Sequence, residues 1–228
     1  MNKLLSTLFA LAVASVTGAT LAQELKGDAS AGAKLNATCI GCHGIVGYQA
    51  SFPEVYKVPM ISGQNAKYIT AALTQYRAGD RKHPSMRGIA QNLSDQDMVD
   101  LAAYYSEHGG PSAKPDAKPA KEPGEKAAAL IKAGNCASCH GANYSAPIDP
   151  SYPKLAGQHK DYLLFALRSY AVEGNRVWGR AHPSMSGVVK AAQQTAGAQE
   201  YDKQIRDMAA YLSSLPTELK VVPQSRFR

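Results

Sequence analysis

Two copies of one pentapeptide pattern, C-x-x-C-H, constrain this chain more than anything else in it. They run from Cys39 through Cys42 to His43 and from Cys136 through Cys139 to His140, and each is followed by glycine (Gly44, Gly141). Between them they take all 4 cysteines of the 228 residues. The copies are not isolated. VPMISGQ (58–64) falls on YPKLAGQ (152–158), Tyr68 and Tyr76 on Tyr162 and Tyr170, HPSM (83–86) on HPSM (182–185), and DLAAYY (100–105) on DMAAYL (207–212). The order never changes, so the chain is an internal duplication.

Between the copies lies GPSAKPDAKPAKEPG (110–124), rich in Pro, Ala and Lys and without apolar periodicity, which predicts an extended, solvated linker. It separates an N-terminal half, residues 23–109, from a C-terminal half, residues 125–228. Residues 1–22 carry one early positive charge at Lys3, then an uncharged apolar run, then small residues at Thr20 and Ala22. That pattern predicts a signal peptide cleaved after Ala22, which would export the mature chain to an oxidising compartment, the periplasm. With 45% hydrophobic and 19% charged residues, the rest has the balance of a globular protein. The formal charge of +7 comes with no Arg/Lys cluster interleaved with aromatics, so nucleic acid is not an expected partner.

The periodicity is helical throughout, and the predicted class is all-α. One helix is expected before each C-x-x-C-H, through DASAGAKLNAT and EKAAALIKAG. A second carries Ile69, Leu73 and Tyr76 in one half and Leu163, Leu167 and Tyr170 in the other. A third starts at Ser94 as N-cap, with Asp97 three residues on, and presents Met98, Leu101, Ala102 and Tyr105; its counterpart presents Ile205, Met208, Ala209 and Leu212. Three short helices make a thin core for about 90 residues, so another body is expected at the centre of each half.

Three chemistries compete for C-x-x-C-H. A structural zinc wants four ligands, and an adjacent Cys-His pair suits a tetrahedral site poorly. A dithiol redox pair expects a strand-to-helix setting that this chain lacks. Covalent haem attachment uses the whole pattern: the thiols of Cys39, Cys42, Cys136 and Cys139 as thioethers, and the imidazoles of His43 and His140 on iron. Two covalently bound haem c groups would also fill the two thin cores and leave no cysteine for disulfides.

The sixth iron position separates electron carriers from ligand-binding or peroxide chemistry. The duplication sorts the methionines. Met60 faces Lys154, Met98 faces Ile205 and Met208 faces Leu101, whereas Met86 and Met185 face each other. These two are the candidate distal ligands, in loops after the second helices. His83 and His182 are duplicated too and stand as rivals. His108 and His159 have no counterparts and are expected at the surface.

Taken together, the repeated C-x-x-C-H, Pro-x-(Ile/Leu)-x-Gly, distal Met and Ala-Ala-Tyr helix resemble the dihaem cytochrome c4 family, two class I cytochrome c domains in one chain. The resemblance implies axial Met86 and Met185. It also implies carbonyls of Pro59 and Pro153 that accept from Nδ1 of His43 and His140, and a pseudo-two-fold arrangement with haem propionates near the domain interface. It implies a one-electron carrier rather than an enzyme. Expected partners are redox proteins, a quinol-oxidising complex as donor and a terminal oxidase as acceptor, with loose inner-membrane association. The haem subunit of a larger dehydrogenase, such as a flavocytochrome, is the alternative. A dihaem peroxidase would need an open iron position, which two matched methionines disfavour. The departure from the family pattern is KAAQQTAGAQ (190–199), expected to enlarge a loop near the second haem.

Overall fold

A computed structural model describes residues 25–223; the predicted signal peptide and its cleavage site at Ala22 lie outside the described residues. The N-terminal half contains helices α1 (Ala29–Leu35), α2 (Ala37–His43), α3 (Ala66–Ala78), α4 (Pro84–Ala90) and α5 (Asp95–Glu107). The C-terminal half repeats the plan with α6 (Glu125–Gly134), α7 (Cys136–His140), α8 (Lys160–Ser169), α9 (Pro183–Ala196) and α10 (Ala198–Ser213). Among the described residues there are four strands of two residues each: β1 (Gln49–Ala50), β2 (Tyr56–Lys57), β3 (Arg81–Lys82) and β4 (Gly179–Arg180). Among the described residues, no helix is long and apolar enough to cross a membrane.

Each half packs around its last helix, α5 or α10. In α5 the Ser94 side chain accepts from Asp97 N while the Asp97 carboxylate accepts from Ser94 N, a reciprocal cap that fixes where the helix begins. Its inner stripe, Met98, Leu101, Ala102 and Tyr105, is buried with Ile69 and Leu73 of α3. Against its other side lies α1, where Gly32 comes so close that a Cβ would sit 2.1 Å from Asp100 O. In the second half α10 buries Ile205, Met208, Ala209 and Leu212 together with Leu130 of α6 and Leu163 of α8. The expected faces and the Ser94 cap are therefore as read from sequence.

Three sequence expectations change. The linker is irregular but not free: Asn143 Nδ2 donates to Asp116 O (2.7 Å), and the Tyr211 hydroxyl donates to Lys121 O (3.1 Å). Main-chain carbonyls outside regular structure need donors, and the C-terminal half supplies them. Residues 190–199 do not form a loop. They lengthen α9 to 14 residues, against 7 in its counterpart α4, and begin α10 after a break at Gly197, whose φ is +76°. Finally, His108 is half-buried, its Nδ1 2.9 Å from Ser62 Oγ and its ring stacked on Tyr104; His159 is also half-buried, at the N-cap of α8.

The halves meet through matched residues. β3 pairs antiparallel with β4, so Arg81 faces Arg180 across the seam. Gln64 and Gln158, equivalent in the duplication, each reach into the opposite half. Gln64 bonds the N–H and carbonyl of Lys154 (2.9 and 3.0 Å), and Gln158 those of Met60 (3.0 and 2.9 Å). This exchange is the signature of a two-fold interface written within one chain. An aromatic cluster breaks the symmetry: Tyr56 stacks on Phe165 with centroids 4.2 Å apart, and Phe165 faces Trp178.

Candidate haem centres

Both C-x-x-C-H patterns lie on helices. α2 and α7 are short because each is split from the helix before it at an asparagine, Asn36 or Asn135; Asn135 takes a left-handed conformation, φ +46°. On such a helix the i, i+3 and i+4 positions share a face, so Cys39, Cys42 and His43 point together, as do Cys136, Cys139 and His140. Cys39 and Met86 both border the N-terminal core, and Cys136 and Met185 border the C-terminal one. The structure thus brings each candidate distal methionine to the same core as its own half's first cysteine. Burial pushes the Cys39 thiol up and the Cys136 thiol to about 11, the reverse of an activated redox cysteine.

The histidines divide by which ring nitrogen is engaged. His43 Nδ1 lies 2.8 Å from Pro59 O, and His140 Nδ1 lies 3.2 Å from Pro153 O. A carbonyl can only accept, so both rings carry their proton on Nδ1 and keep the Nε2 lone pair for a metal. Burial lowers both pKa values despite these bonds, which holds the rings neutral at pH 7. His83 and His182 are the opposite case. Each is the N-cap of the helix bearing a candidate methionine, and its Nδ1 accepts from Met86 N (3.4 Å) or Met185 N (3.3 Å). A neutral imidazole that accepts at Nδ1 has its proton on Nε2 and no lone pair left for iron. Met86 and Met185 themselves lie in the first turns of α4 and α9 rather than in loops, because proline at the first helical position and the histidine cap start a helix there.

Fit to haem can be tested at the seam, where sequence reasoning missed two residues. Arg81 and Arg180 are 6% and 9% exposed and stand beside each other. Arg81 donates to the hydroxyls of Tyr68 (3.1 Å) and Tyr162 (2.7 Å), and Arg180 to that of Tyr162 (3.2 Å). Their faces cover Tyr76 and Tyr170 at 4.7 and 5.4 Å. No ion pair to either is found among the described residues, and Arg81 Nε is buried without a partner. Burial would push the Tyr162 phenol up, but the two guanidiniums outweigh it and bring it down to about 8. Two adjacent buried cations held only by phenols call for anions. Propionates supply that charge, and Arg81 is close enough to His43 to depress its pKa. The residues present fit the group. The signal was available: arginine stands two places before HPSM in both halves, although the rest of the two preceding loops differs.

The cytochrome c family profile matches residues 29–107 and 124–216. Cytochrome c4 of Stutzerimonas stutzeri is 32% identical over 231 residues, covering 94% of this chain and 100% of that protein. The chain belongs to the dihaem cytochrome c4 family. Among solved structures, reduced recombinant cytochrome c4 from Pseudomonas stutzeri superposes with a TM-score of 0.55 at 29% identity, covering 83% of this chain and all of that one. A thiosulfate dehydrogenase electron acceptor of Thiomonas intermedia is 28% identical over 194 residues, 79% of each chain. The protein therefore carries two covalently bound haem c groups and is an electron carrier, not an enzyme.

Proposed function

We propose that this protein is a periplasmic carrier that takes electrons from a quinol-oxidising complex and delivers them to a terminal oxidase, one electron per haem. In this reading residues 1–22 direct export and are removed after Ala22, residues 23–109 and 125–228 each hold one haem, and 110–124 join them. Cys39 and Cys42 would attach the first haem, and His43 and Met86 would hold its iron. Cys136, Cys139, His140 and Met185 would do the same for the second. The observation that supports this most directly is the paired geometry of the histidines. His43 and His140 present a free Nε2, while His83 and His182 spend their Nδ1 lone pairs holding the Met86 and Met185 backbones.

Bound haem supplies a metal centre that exchanges one electron reversibly, with methionine ligation raising its potential. The chain's own residues do the rest. Pro59 and Pro153 orient the proximal rings, the helix caps hold the distal methionines, and Arg81 and Arg180 offset buried negative charge. Mixing the reduced protein with a purified oxidase, and the oxidised protein with quinol and a quinol-oxidising complex, tests the reading. Turnover-rate electron transfer is expected in both; failure of both would refute it.

A second reading is supported by the relative named as a thiosulfate dehydrogenase electron acceptor. Here the donor is a sulfur-compound dehydrogenase. Thiosulfate with its dehydrogenase should then reduce the protein faster than quinol with its complex does.

A further inference from the structure

The seam and the proximal histidines meet in single peptide groups. The peptide joining Pro59 to Met60 accepts at its carbonyl from His43 Nδ1 (2.8 Å) and donates its N–H to Gln158 Oε1 (3.0 Å). The peptide joining Pro153 to Lys154 does the same, between His140 Nδ1 (3.2 Å) and Gln64 Oε1 (2.9 Å). Each proximal imidazole is therefore one peptide away from a glutamine of the opposite half. Both glutamines are buried, and each turns its Nε2 back onto the next carbonyl, that of Lys154 or Met60. Neither amide can rotate away without breaking bonds at both ends.

We propose that Gln158 is a positioning residue for His43 and Gln64 for His140, so that each half sets the character of the other half's proximal ligand. The inference rests on His43 and His140 being iron ligands. Hydrogen bonds in a chain polarise one another, so a peptide whose N–H is engaged is a stronger acceptor at its carbonyl. A stronger acceptor draws on the Nδ1 proton, makes the imidazole more basic and favours ferric iron. Loosening the seam on one side thus raises the potential of the haem on the other. The two redox centres communicate through the interface by matter already in place, apart from any charge interaction between them.

The test is spectroelectrochemical titration of the two-haem protein. Met86→His and Met185→His serve as references, since exchanging methionine for histidine lowers the wave of the haem concerned and so assigns both waves. Gln158→Ala is expected to shift the first-haem wave upward and leave the second in place; Gln64→Ala is expected to do the reverse. Gln158→Glu retains an acceptor for Met60 N–H and should return the first-haem wave to its original position or below it. If Gln158→Ala does not assemble, Gln158→Met keeps the volume, removes the acceptor and carries the same expectation. A shift confined to the substituted glutamine's own half, an equal shift of both waves, or none overturns the proposal. The ligand reading is tested separately by the spectrum of the unsubstituted protein: without Fe–S(Met) and imidazole signatures there, it falls and takes this inference with it.

Discussion

Replacing His83 by alanine removes the one side-chain acceptor at the start of α4, the bond from Met86 N to His83 Nδ1 at 3.4 Å. Loss of an N-cap costs about 0.5–2 kcal/mol, and a bond this long belongs at the low end of that range, about 0.5 kcal/mol. Because Met86 is the third residue of the helix, the cost falls on the segment that carries it. About 0.5 kcal/mol corresponds to roughly a twofold rise in the population with the methionine displaced. The assay is cyanide binding to the ferric protein, since with Met86 as the proposed ligand cyanide would reach iron only when the methionine leaves. His83→Ala should speed binding at the first haem about twofold, and His83→Asn, which can still cap, should restore the original rate. His182→Ala should have a smaller effect at the second haem, because the Ser186 hydroxyl also accepts from His182 N (3.1 Å) and Arg87 occupies the equivalent place in the first half. Unchanged rates in both alanine variants, or His83→Asn as fast as His83→Ala, would refute the capping role.

Arg81→Gln removes one of two buried cations at the seam and should lower the haem potentials in a redox titration, because less positive surroundings favour ferric iron; a rise would mean the guanidinium does not act through its charge. Gly141→Ala places a Cβ 2.1 Å from Ala146 O at a φ of +80° and should sharply reduce haem content of the second half by pyridine haemochrome assay. Gly44→Ala meets only Ile40 at a permitted φ and should be milder. Bonds from Ser94 hold the Asp97 carboxyl below the usual carboxylate range. The stability it lends is then complete above the unfolded value of about 3.9 and is lost as pH falls through the depressed one. Thermal unfolding against pH should show that acid limb in the unsubstituted protein, and Asp97→Asn should flatten it.

What was legible in the sequence is what depends on residues near one another in the chain. The helices before each C-x-x-C-H, the Ser94 cap with Asp97, and the apolar stripes of α5 and α10 follow from helical period and local chemistry. Residues 190–199 read as a loop because they are an insertion relative to the other half, whereas their alanines and glutamines extend α9 and open α10. The seam was not legible. Arg81 becomes a buried cation only when β3 pairs with β4, and Gln64 acquires a role only when Lys154 arrives against it. Gln64 lay inside a matched stretch of the duplication and Arg81 two residues before one, but a repeat shows that two positions are equivalent, not that they meet. His83 was ambiguous for a related reason: the choice between ligand and cap depends on which ring nitrogen is engaged, and only geometry supplies that.

The most direct measurement is the long-wavelength ferric band of Fe–S(Met) coordination, recorded per haem in the unsubstituted protein, in Met86→Ala and in Met86→Ala/Met185→Ala. Two haems with His/Met pairs require full intensity in the first, about half in the second and none in the third. A band that survives the double replacement would contradict the assignment of both distal ligands.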